Sequence, residues 1–63
     1  MSKYKVRVTS PLGRTEYAYV EAVYYCIGRD GSLVFYVRQP VGYPKFKAST
    51  AYAAKEWLHV EEV

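Results

Sequence analysis

Asparagine is absent from this chain, and cysteine, aspartate, glutamine and histidine occur once each. The single cysteine, Cys26, excludes an intrachain disulfide and every multi-cysteine zinc site, and it points to a reducing, intracellular setting. His59 is the only other strong nitrogen or sulfur ligand, and two such ligands far apart make no zinc centre. Ser10, Ser32 and Ser49 lack a partnered histidine and acid at any recognisable spacing, and Gly28 and Gly31 form no phosphate-loop motif. Neither an enzyme nor a bound cofactor is expected. No apolar run approaches membrane-spanning length, and the opening "MSKYKVRV" alternates charge with hydrophobe where a secretion signal would be apolar, so a cytoplasmic protein is expected. The poverty in Asn, Gln, Cys and Met resembles the habit of thermophile proteins.

What remains is rich in hydrophobic and aromatic residues, eight of them tyrosines. A chain of 63 residues makes one small domain, spanning 1–63, near the size where a single core barely offsets chain entropy. It cannot enclose a deep pocket. Nine Lys and Arg against six acids leave a net charge of +3, which permits attraction to phosphates without demanding it.

Alternation is the dominant pattern. Lys3 to Thr9 sets Tyr4, Val6 and Val8 on one face and Lys3, Lys5 and Arg7 on the other, as a half-buried strand does. "SPLG" at 10–13 predicts a reversal into a second strand from Arg14 to about Val20. Val23–Ile27 and Leu33–Arg38 are the next strands, and "QPVGYP" ends their pairing before a short fifth strand from Lys45 to Ser49. For the tail "STAYAAKEWLHVEEV", a helix capped by Ser49 or Thr50 competes with a short strand at Trp57–Val60. The expected fold is mainly β, a small five-stranded SH3-like barrel closed by a short C-terminal helix if the first alternative holds.

The stretch "YYCIGRDGSLVFY" at 24–36 decides which residues face water. A two-residue Asp30-Gly31 turn would set Tyr24 across from Val37, whereas a longer odd-numbered loop sets Tyr24 opposite Tyr36 and Cys26 opposite Val34. The second register gathers the better core formers, Val23, Tyr25, Ile27, Leu33, Phe35 and Val37, and brings Phe46 and Ala48 in with them. The outer face then carries Tyr24, Cys26, Val34, Tyr36, Lys45, Lys47 and Ser49, with Arg29 at the loop tip. Such a face suits a covering chain or second copy, or a nucleic acid whose bases or sugars meet the apolar side chains while its phosphates meet the basic ones.

The segment "VRVTSPLGRTEYAYVEAVYY", 6–25, resembles the opening of the small SH3-like crenarchaeal chromatin proteins of about seven kilodaltons, whose V-K-V strand, T-P-x-G-K turn and E-x-V-W strand follow at the same spacing. Val6, Val8, Pro11, Gly13, Glu21 and Val23 match, with Arg7, Arg14 and Tyr24 as conservative replacements. "RQPVGYPKFK" resembles the family's K-D-P-turn-F-R segment, and "STAYAAKEWL" its closing helix at Ser49, Ala53, Lys55, Glu56 and Leu58. The resemblance implies a monomeric, nucleoid-associated protein that binds double-stranded DNA without sequence specificity, lying across the minor groove. It implies DNA contacts from Tyr24, Val34, Tyr36, Lys45, Lys47 and Ser49, and a base-step wedge at Cys26. The ending "EWLHVEEV" also resembles small β-rich phage and mobile-element proteins, which implies instead a protein-interaction module or homodimer using the same face; single-stranded nucleic acid is a third candidate partner.

Overall fold

The computed structural model describes all 63 residues and is mainly β, with six strands and no helix. They are β1 (Ser2–Val8), β2 (Glu16–Ala22), β3 (Tyr24–Ile27), β4 (Leu33–Arg38), β5 (Phe46–Tyr52) and β6 (Trp57–Glu62). Two antiparallel three-stranded sheets result, the first ordered β2-β1-β6 and the second β3-β4-β5. The expected five-stranded closed barrel is thereby corrected to two open sheets. The chain that runs from β2 into β3 changes sheet at Val23, which leaves both ladders except for one bond from its N–H to the Tyr36 carbonyl, 2.8 Å.

The first hairpin turns where Pro and Gly predict it. Gly13 has a φ of 71°, a left-handed conformation that favours glycine, and its N–H closes the turn on the Ser10 carbonyl at 3.1 Å. The alternation of β1 then puts Tyr4 and Val6 inward against Val20 and Ala22, as their spacing demands.

The tail forms no helix. Ala53 and Glu56 make one reciprocal turn, the Ala53 N–H donating to Glu56 Oε1 and the Glu56 N–H to the Ala53 carbonyl, both at 2.8 Å. The Thr9 N–H then takes the Glu56 carbonyl at 3.1 Å and the Thr9 hydroxyl takes that of Lys55 at 3.0 Å. With those carbonyls occupied, the chain extends and pairs with β1, Val6 opposite Val60 and Val8 opposite Trp57. Ladder bonds and burial of Trp57 and Val60 outweigh the helical propensity of the alanines.

The core is small. Tyr4, Val6, Val20 and Ala22 of the first sheet meet Leu33 and Phe35 of the second, with Val8, Tyr25, Val37, Tyr52, Trp57 and Val60 packed around them. Val23 and Ile27, which the alternation places inside, are exposed: Val23 stands between β2 and β3, outside both ladders, and Ile27 is the last residue of β3 before the loop. A single polar tie crosses between sheets, the Trp57 indole N–H donating to the Gly31 carbonyl at 2.8 Å. Gly31 holds a φ of 86°, and a Cβ there would stand 3.0 Å from that of Ala54. Trp57→Phe keeps an aromatic side chain but strands this carbonyl and leaves part of the indole's volume beside the core empty, so it is expected to lower unfolding stability by at least about 1–2 kcal/mol in urea denaturation.

Candidate nucleic-acid interface

The five residues Gly28–Ser32 join β3 to β4, and their odd number sets the expected register: Tyr24 faces Tyr36 and Cys26 faces Val34. The loop is internally braced. The Gly28 N–H donates to the Ser32 carbonyl at 2.8 Å, and the Ser32 N–H and hydroxyl both donate to Asp30 Oδ1, at 3.0 and 2.7 Å. The bond from the Ser32 N–H, then that from its hydroxyl, hold the Asp30 carboxyl below its ordinary value of 3.8. Asp30 therefore stays charged at neutral pH, and its contribution to loop order is lost only as the pH falls through that lowered value. Arg29 is exposed at the loop tip.

Outside the second sheet the side chains form an aromatic ridge. The Tyr24 and Tyr36 rings stack at 4.9 Å between centroids with planes 13° apart, and Phe46 meets Tyr24 nearly perpendicular at 5.5 Å. Cys26 is exposed beside the half-buried Val34. A recess of about 520 Å³, lined by Tyr24, Tyr43, Pro44, Lys45 and Phe46, opens at one end of the ridge.

Phe46 and Ala48 correct the expected facing of β5. Its pairing with β4 shifts between Phe35 and Tyr36: Thr50 lies opposite Phe35, yet Ala48 lies opposite Tyr36, which leaves Ser49 as an extra residue. The Ser49 hydroxyl donates to the Phe35 carbonyl at 3.4 Å within this bulge. Beyond it, Phe46 and Ala48 share the side of Tyr24 and Tyr36, while Lys47, opposite Val37, takes the other. Of the residues expected on one surface, the fold gathers Tyr24, Cys26, Val34 and Tyr36, keeps Lys45 at the recess and Arg29 at the loop, and separates Lys47. Arg38, opposite Phe46, joins the ridge side.

Charge is segregated along the chain. Between Asp30 and Glu56 there is no acid, while Arg38, Lys45, Lys47 and Lys55 fall in that interval. Strands β3, β4 and β5 thus carry no carboxylate at all. Because the structure has no helix, it has none long and apolar enough to cross a membrane. The chain matches no protein-family model, no curated protein and no solved structure.

Proposed function

We propose that the chain is a monomeric, sequence-tolerant double-stranded DNA-binding protein that uses the outer side of the β3-β4-β5 sheet. The observation that carries this is the acid-free sheet crowned by the Tyr24–Tyr36–Phe46 ridge, with Arg38, Lys45 and Arg29 around it. Rings already stacked on one another offer less open surface to an unpaired base than isolated platforms do. A raised apolar ridge flanked by cations suits a minor groove, where side chains enter between base steps while Lys and Arg hold the phosphates. Cys26 and Val34, in line with the ridge, are then the residues that press on the base steps.

The architecture is compatible with an SH3-like arrangement. A chain that passes from one sheet to the next at a single residue, as here at Val23, is a common way for small two-sheet β-folds to turn a corner. Such a fold leaves one sheet free for a partner.

Mobility-shift titration with duplex and single-stranded DNA at two salt concentrations, together with mass in solution, tests the proposal. With Arg29, Arg38 and Lys45 as the contacting cations, about three phosphates are neutralised, and the log-log salt slope for duplex binding is expected to be about −3. A dimer indifferent to duplex would overturn the proposal in favour of a self-association surface.

A further inference from the structure

The outer side of the first sheet is a separate surface with its own pattern. Central strand β1 sends Lys3, Lys5 and Arg7 to that side at alternate positions, about 6.8 Å apart along the strand. On β2, Tyr19 lies opposite Lys5 and Tyr17 opposite Arg7. Tyr17 is 48% exposed and Tyr19 57%, so neither serves the core. Each ring carries an ammonium instead, Lys5 Nζ at 4.1 Å from the Tyr17 centroid and Lys3 Nζ at 5.5 Å from that of Tyr19.

We propose that this face binds single-stranded nucleic acid, with Tyr17 and Tyr19 stacking on bases and Lys3, Lys5 and Arg7 meeting phosphates. Two exposed rings along a row of cations are the two components that single-strand binders combine. Their spacing fits as well. Positions two apart on an antiparallel strand are separated by about 6.8 Å, twice the 3.4 Å rise of a stacked nucleic-acid strand. That is the gap between neighbouring bases when one ring enters between them. The exposed Lys3 ammonium, 5.5 Å from its ring, holds Tyr19 more weakly than a stacked base does, so a base displaces that lysine and frees it for the adjoining phosphate.

Two carboxylates set the path. Glu21 lies opposite Lys3 and Glu61 opposite Lys5, whereas Arg7 has His59 across from it and no acid. Phosphates are steered toward the Arg7 end, and the proposal stands independently of the duplex surface on the second sheet.

The test is fluorescence anisotropy with a labelled oligothymidine of about ten nucleotides, set beside a duplex titration. Tyr17→Ala and Tyr19→Ala are each expected to lower single-strand affinity about tenfold, while Tyr17→Phe and Tyr19→Phe bind as the native chain does. Glu61→Gln should raise that affinity, and none of these changes should move duplex affinity by more than about twofold. Single-strand binding that survives both alanine changes, or falls as far with phenylalanine, overturns the proposal. Loss of single-strand binding on Tyr24→Ala also overturns it, by assigning the strand to the second sheet. Single-strand affinity that depends on Tyr17 in a protein blind to duplex supports it and removes only the duplex proposal.

Discussion

Phe35→Ala is expected to leave the chain largely unfolded at ambient temperature. Phe35 is fully buried and meets the rings of Tyr4, Tyr25 and Tyr52 at 5.5, 6.0 and 6.5 Å, so it is the residue on which both sheets close. Truncating a buried phenylalanine costs about 3–5 kcal/mol, which matches the whole of what a core this small supplies, about 3–5 kcal/mol. Circular dichroism with urea titration reads the outcome. Phe46→Ala is the contrast: its ring is 38% exposed on the ridge, and its loss should lower stability by no more than about 1 kcal/mol. A cooperative native transition in the Phe35 variant would show that the core lies elsewhere.

The second large effect is on binding. Tyr24→Ala and Tyr36→Ala are each expected to weaken duplex binding by about 1–3 kcal/mol, the scale of lost aromatic contacts with nucleic acid. Because the two rings stack on each other, removing one disorders its neighbour, and the double variant should lose less than the sum of the single losses. Titration of one labelled duplex with the native chain and the three variants closes that cycle. Unchanged affinity in both single variants would remove the ridge from the interface.

Much of this surface follows from parity. An odd loop between Ile27 and Leu33 suffices to set Tyr24 with Tyr36 and Cys26 with Val34, since a side-chain period of two leaves no other choice. The same rule misplaces β5. One surplus residue at Ser49 reverses every position from Phe46 to Ala48, and no motif in "FKASTAY" marks it. The available hint is competition: Phe46 and Tyr52 lie on one side by plain alternation, but the small core has room at only one end, and Tyr52 takes it. The tail was ambiguous for another reason. Its alanines favour a helix locally, and the strand prevails through pairing with β1, more than forty residues earlier, reinforced just beyond the ladder by the bond from the Thr9 hydroxyl to the Lys55 carbonyl. Arg38 and the recess beside Lys45 depend likewise on what the Gln39–Lys45 connection brings together.

Trp57 gives the molecule an optical signal of its own. It is the sole tryptophan among eight tyrosines, so excitation absorbed by those rings has one indole acceptor. That indole belongs to the first sheet but is anchored to a carbonyl of the loop linking β3 and β4. Its emission therefore responds to separation of the two sheets. Neither tyrosine face includes it, so emission excited at the indole itself can follow folding, while emission fed through the tyrosines also changes when a nucleic acid covers them.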